Sequence, residues 1–334
     1  MLFSGRVLLS KNGSGKKVIG KTKRSSSGAR TFKPAIFLLG FLMIVVGVFG
    51  VLYNPSSSTD GNLPWELSEA GILSFSERGE PVFTLQEIKD FYSPESPDIL
   101  KLVSFESGGD KVEALLRIPA DTSSPSPGII LLPGAGVSKE GEQGLASELS
   151  RMGYASLTFD QRNQGAINIE RDLELFKVGL DPVEYLMIYD VLKAADVLSA
   201  QPEIDPERLA VFGESNGGRF AIIACALEPS LKGSIGISTS GDGTEELDPS
   251  QIADSEAYRL YCSIDPDTYL SALPPSKLVM IHSFNDTVIS HEQALRTFAL
   301  AEEPKAMYNT TDETHGYTAS MQPYLEKELS LLFK

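Results

Sequence analysis

The sequence predicts an α/β fold, a mostly parallel sheet flanked by helices, preceded by one N-terminal transmembrane helix. Three observations carry this expectation. From about residue 98 apolar strand patterns alternate with helix patterns. The run 208–219 turns sharply at Gly213-Glu214-Ser215-Asn216-Gly217, between a strand signal and a helix signal. Ahead of both, residues 35–53 form an uncharged apolar stretch of 19 residues behind a basic leader.

Residues 1–33 hold nine Lys or Arg and no acidic residue, with Ser and Gly between them. Such a segment cannot bury enough apolar surface to fold, so 1–34 reads as a disordered basic segment. A helix over 35–53 is about 28 Å long at 1.5 Å per residue, close to the hydrocarbon thickness of a bilayer. The leader is too long, and the small-x-small cleavage pattern too poorly matched, for a secretory signal. The expected partner is therefore a lipid bilayer through residues 35–53. The basic bias puts the N-terminus in the cytoplasm and the rest outside, a single-pass protein of the cell membrane with an extracytoplasmic domain.

Residues 54–97 read as linker and juxtamembrane segment, with Tyr53 and Trp65 as interfacial residues. Thr84-Leu85-Gln86-Glu87 has the form of a capping box and predicts a short helix through Phe91. The main domain spans 98–334. Its first strands, 99–106 and 111–118, form a hairpin around Gly108-Gly109-Asp110. Strands at 128–132, 155–159, 208–212, 233–238, 277–282 and 304–309 make the parallel part. Helices are expected at 139–152, 183–200, 217–227, 290–301 and 319–332. Inserts at 163–182 and 239–274 interrupt the alternation and are candidate lids. Tyr258, Leu260, Tyr261 and Tyr269 in the second read as packing residues, with a substrate pocket as the other use.

Charge limits the partners. Beyond the leader, 20 Lys and Arg face 45 Asp and Glu, a formal charge of −25. Such a surface repels phosphate backbones and argues against nucleic acid. Three scattered histidines and two cysteines lack zinc spacing, so neither a metal nor a cofactor is expected. Cys225, in an apolar helix, and Cys262 read as unpaired thiols.

Chemistry concentrates at Ser215. A serine at a strand-to-helix turn holds a strained backbone, so the residues two before and two after must lack bulk. The turn exposes Oγ beside a helix N-terminus, where amides favour a developing negative charge. The hydroxyl needs a base, and the choices are His282, His291 and His315. His315, in a polar loop between a strand and the last helix, is the favoured base. His282 ends a strand and reads as a supporting residue. His291 follows Ser290, which reads as the N-cap of a helix. Asp286, just past the strand 277–282, suits the orienting carboxylate.

Residues from about 98 onward resemble the α/β-hydrolase superfamily, with the dienelactone hydrolase and prolyl-oligopeptidase-like serine hydrolases as the nearest in pattern. The likeness rests on Gly128–Gly136, the Gly213–Gly218 elbow, Ser283-Phe284-Asn285-Asp286 and Thr314-His315-Gly316. A weaker stretch, Thr158–Gly165, is similar to an Asp-x-Arg-Gly-x-Gly segment but has Asn163 in place of glycine. Pro133 stands where the family commonly has histidine. The order Ser215, Asp286, His315 is the order the superfamily uses. By resemblance the oxyanion donors are the amides of Asn216 and of Ala135, with Gly136 as the other choice. The resemblance implies a serine hydrolase acting on a carboxylic ester or thioester through an acyl-enzyme on Ser215. Its small-molecule substrate is an ester or a short peptide, a peptidase or amidase being the nearest alternative. A non-catalytic receptor or scaffold on the same fold is the alternative of another class.

Overall fold

The computed structural model describes residues 63–334 apart from 77, 121–123, 249–251 and 253. Two short strands, β1 (Trp65–Leu67) and β2 (Leu73–Phe75), pair antiparallel. The main sheet begins with β3 (Phe83–Ile88), β4 (Ile99–Ser107) and β5 (Asp110–Ile118). It continues through β6 (Ser126–Leu132), helix α1 (Gln143–Arg151) and β7 (Ala155–Phe159). Helices α2 (Ile169–Lys177) and α3 (Val183–Ser199) lead to β8 (Ile204–Glu214), α4 (Asn216–Leu227) and β9 (Gly233–Ile237). Then come α5 (Ser255–Ile264), β10 (Lys277–Ser283), α6 (His291–Leu300), β11 (Lys305–Thr310) and α7 (Gln322–Leu332). The strand order is β11-β10-β9-β8-β6-β7-β5-β4-β3. It is parallel from β11 to β7 and antiparallel from β7 to β3.

Both sheet faces are covered, which explains apolar strands without strict alternation of polarity. Successive side chains point to opposite faces. Ile130, Val211 and Met280 join α3 and α4 in one core. Their neighbours Ile129, Leu131, Phe212 and Ile281 join Leu145 and Leu149 of α1 and Leu325 and Leu329 of α7 in the other. The β4–β5 hairpin turns at Gly108 (φ +56°) and Gly109 (φ +78°), with Ser107 opposite Asp110. Positive φ at both central residues matches the twist of the strands they join.

Three expectations are corrected. The helix expected from Thr84 is instead strand β3, paired with β4 from Phe83–Phe105 to Ile88–Leu100. Its local capping pattern loses to a ladder of backbone hydrogen bonds that only tertiary pairing supplies. Trp65 is not an interfacial anchor: its indole donates to Asp181 at 3.0 Å and stacks 5.8 Å from Phe176. The spanning helix expected over 35–53 lies outside the described residues, and among those described no helix is long and apolar enough to cross a membrane. The longest described, α3, has 17 residues, about 26 Å, and carries Glu184, Asp190, Lys193 and Asp196. The transmembrane helix, the bilayer partner, the single-pass topology and the extracytoplasmic placement are therefore not supported; the α/β fold with its mixed sheet and flanking helices stands.

The two inserts pack on each other. Lys177 pairs with Asp254 at 2.6 Å, and Arg259 lies over the Phe176 ring. Tyr269 is buried, its hydroxyl donating to the Ser263 carbonyl and accepting from the Leu73 amide, so it packs rather than lines a pocket. Cys225 and Cys262 are both free thiols.

Candidate active site

Strand β8 ends at Glu214, and α4 starts at Asn216, leaving Ser215 alone at φ 49°, ψ −116°. A non-glycine residue there costs on the order of 1–3 kcal/mol and persists only if its surroundings hold it. They do. The Ser215 amide donates to the Ile237 carbonyl at 2.8 Å, and its own carbonyl accepts from the Gly218 amide and the Thr239 hydroxyl. The flanking glycines are sterically required. A Cβ on Gly213 would sit 2.5 Å from the Gly218 nitrogen, and one on Gly217 would sit 2.7 Å from the Pro133 carbonyl oxygen.

Asp286 lies in the turn after β10 and is buried. Its Oδ1 accepts from the amides of Val288 (2.8 Å) and Ile289 (3.0 Å). The loop after β11 delivers His315, whose Nδ1 lies 2.8 Å from Oδ2 and 3.1 Å from Oδ1 of Asp286. Burial pushes the Asp286 carboxyl up, but the hydrogen bonds from His315 and the two amides outweigh it, so the group sits below its ordinary value. The carboxylate is thus ionised and orients the imidazole with Nδ1 protonated, leaving Nε2 to accept a proton.

The imidazole loop and Ser215 share one rim at the C-terminal end of the strands. Gly316 donates its amide to Ser238 Oγ at 3.0 Å, and Ser238 follows Ile237, which holds the Ser215 amide. A Cβ on Gly316 would lie 3.0 Å from Glu214 Oε2, so this loop abuts the residue preceding Ser215. No hydrogen bond joins Ser215 to His315 among the described residues.

The other two histidines serve differently. His282 is buried below Asp286, its Nε2 2.9 Å from the Ile289 carbonyl and 3.7 Å from Asp286 Oδ2. Burial lowers its pKa despite these two neighbours, which keeps it neutral and donating to Ile289. His291 opens α6 beside a capping box formed by Ser290 and Gln293, and its Nε2 pairs with Asn309.

Two amides in the segments beside the serine have no hydrogen-bond partner among the described residues. The loop after β6 approaches Ser215 closely: a Cβ on Gly134 would lie 3.7 Å from Ser215 Cβ. Within that loop the Gly136 amide already donates to the Gln164 carbonyl at 2.7 Å. The Ala135 and Asn216 amides have no partner among the described residues. Of the alternatives Ala135 and Gly136, the Gly136 amide is the one already engaged. The Asp-x-Arg stretch holds this region in place. Asp160 accepts from the amide and ammonium of Lys139, each at 2.7 Å. Arg162 binds Asp190 bidentately at 2.7 and 2.9 Å. Asn163, standing where glycine is usual, takes φ +51°, a conformation asparagine tolerates better than most residues.

One pair of groups escapes sequence reasoning. Burial raises the Glu214 carboxyl despite the Tyr317 amide and His315. Burial and then the Glu214 charge push Glu142, at the start of α1, up to about 8. Glu214 is visible inside the elbow motif, but nothing local marks Glu142 as its neighbour. Among the described residues no cluster of His, Cys, Asp and Glu is arranged to hold a metal ion.

Comparison with known proteins bears on the fold. A family model described as acetyl xylan esterase (AXE1) matches residues 87–238, under half of the chain. The solved acetyl xylan esterase 1 from Thermoanaerobacterium sp. superposes with a TM-score of 0.64 at 17% identity, covering 76% of this chain and 89% of that one. A glucuronoyl esterase from Solibacter usitatus gives 0.58 at 14% identity, covering 81% and 90%. The fold is that of the α/β-hydrolases. In sequence, the uncharacterized protein YfhR of Escherichia coli is 26% identical over 136 residues, 40% of this chain and 47% of that one. The chain thus spans about half the length of this curated relative.

Proposed function

We propose that this chain is a serine esterase that cleaves a small carboxylic ester through an acyl-enzyme on Ser215. The observation that carries it is the His315–Asp286 hydrogen bond, set on the same rim as a strained serine. Ser215 Oγ attacks the carbonyl carbon as its proton passes to His315 Nε2, and the Asn216 and Ala135 amides hold the tetrahedral oxyanion. The carbon–oxygen bond to the leaving alcohol breaks as His315 returns the proton. Water, deprotonated by the same imidazole, then releases the acid and restores the hydroxyl. A Ser215–His315 hydrogen bond is of the kind that tightens only in the Michaelis complex.

The two solved relatives bear the names of esterases, which favours an acyl ester over a peptide, and the acetyl xylan esterase name favours a short acyl group. Within that superfamily, a dienelactone-hydrolase or prolyl-oligopeptidase-like kinship belongs to this proposal. The test compares p-nitrophenyl acetate with longer acyl esters and with aminoacyl anilides, alongside fluorophosphonate labelling. Ester turnover with labelling that vanishes in Ser215→Ala supports the proposal. Faster anilide cleavage moves it to a peptidase, and a folded, unlabelled, inactive protein leaves a binding scaffold.

A further inference from the structure

Gln161 lies just beyond the end of β7 and is buried, yet it belongs to none of the three proposed reacting side chains. Both ends of its amide are used. Its Nε2 donates to the Pro133 carbonyl, at the root of the loop that carries Ala135. Its Oε1 accepts from the Asn216 side-chain Nδ2 at 2.7 Å. One side chain thus spans the two segments that carry the proposed oxyanion amides. The link is continued outward: Asn216 Oδ1 accepts from Arg219 at 3.0 Å, and Arg219 donates to the Ile264 carbonyl at 2.9 Å and pairs with Asp242 at 3.1 Å. It is also enclosed. Asn216 Nδ2 reaches the Gly165 carbonyl at 3.4 Å, and a Cβ at Gly165 would collide with Gln161 Oε1 and lie 2.9 Å from Ala135 Cα.

We infer that Gln161 is a positioning residue of the esterase reaction, which fixes the distance between the Asn216 and Ala135 amides so that both reach one oxyanion. This rests on the function proposed above. The physical reason is that the two donors come from separate segments, one after β6 and one opening α4. Strands β6 and β8 pair as far as Leu132–Gly213, but beyond that pair no backbone hydrogen bond joins the two segments among the described residues. Oxyanion donors act through preorganisation, and one donor is worth about 10²- to 10³-fold in kcat. A glutamine suits the position because it offers a donor and an acceptor on one planar group.

The test uses the full chain with Gln161→Met, which keeps the volume and removes both hydrogen bonds, and Gln161→Glu. In Gln161→Met, kcat for p-nitrophenyl acetate should fall about 10- to 100-fold, KM should change less than threefold, and fluorophosphonate labelling should slow in parallel. In Gln161→Glu the ionised carboxylate cannot donate to Pro133. Its activity relative to wild type at the same pH should rise as pH falls, because the protonated acid restores the donor. The Gln161→Met ratio should stay flat with pH. A merely structural role would lower the melting temperature and leave the Gln161→Glu ratio independent of pH, which overturns the inference. Wild-type kcat in Gln161→Met overturns it as well. If Gln161→Met fails to fold, the Gln161→Glu pH ratio decides. In each of these outcomes a labelled, active wild type silenced by Ser215→Ala keeps the parent reading intact; an inactive, unlabelled wild type overturns both.

Discussion

Replacing Asp286 with asparagine should silence the enzyme while leaving its fold in place. Oδ1 accepts two backbone amides, from Val288 and Ile289, at 2.8 and 3.0 Å. The asparagine oxygen must take that place, since a flipped amide would point donors at donors. Nδ2 then stands where Oδ2 was, 2.8 Å from His315 Nδ1. A proton kept on Nδ1 would meet an N–H donor, so the imidazole adopts the tautomer with the proton on Nε2. That nitrogen then faces the serine as a donor and cannot take its proton. A triad with the wrong tautomer loses about 10⁴-fold in kcat, equivalent to about 5.4 kcal/mol of barrier. Acidic stability should change in a defined direction too. Asp286 lies below its ordinary value when folded, so its contribution is present above the unfolded value near 3.8 and lost as pH falls through the folded one. The variant should therefore melt lower at neutral pH and depend less on acid. The assay is kcat on p-nitrophenyl acetate beside circular-dichroism melting from pH 2 to 7. A folded Asp286→Asn protein within tenfold of wild-type kcat would refute the assignment.

Two further outcomes follow from packing and burial. Gly213→Ala places a methyl 2.5 Å from the Gly218 nitrogen, backbone that cannot rotate away, so the elbow must open. The cost should be about 3 kcal/mol by urea denaturation, with fluorophosphonate labelling lost; unchanged stability and labelling would contradict the elbow geometry. Glu142, pushed up to about 8 in the folded state, should make the protein less stable as pH rises. The carboxyl's contribution is fully present below the unfolded value near 4.5 and is lost as pH climbs through the folded one, at a limit of about 1.4 kcal/mol per pH unit. Urea denaturation from pH 5 to 9 should show this slope in wild type and a flatter one in Glu142→Gln; equal slopes would count against the buried acid.

What can be read in the chain is whatever has a local cause. Gly213 and Gly217 announce the elbow because the clash that demands them lies within a few residues and beside one strand end. The alternation of Ile129 with Ile130, or of Val279 with Met280, reports two buried faces without knowledge of any helix. His315 and Asp286 are legible as types and positions, since a base and a carboxylate must follow strands that end at one edge. Local patterns mislead where distant backbone decides. Thr84-Leu85-Gln86-Glu87 carries the residues of a helix start, yet pairing with Val103 and Ser104 makes it an edge strand. Gln161 is the opposite case. Its sequence neighbours say only that it stands between Asp160 and Arg162, both of which fasten other segments. Its own work is defined by Pro133, 28 residues before it, and Asn216, 55 after, which meet because β7 and β8 flank β6 in the sheet. A position whose chemistry is set by three segments leaves no signature in any one of them. That is why the elements carrying the candidate reacting groups are readable one by one, whereas the side chain proposed to set the spacing of the two amides appears only in the assembled fold.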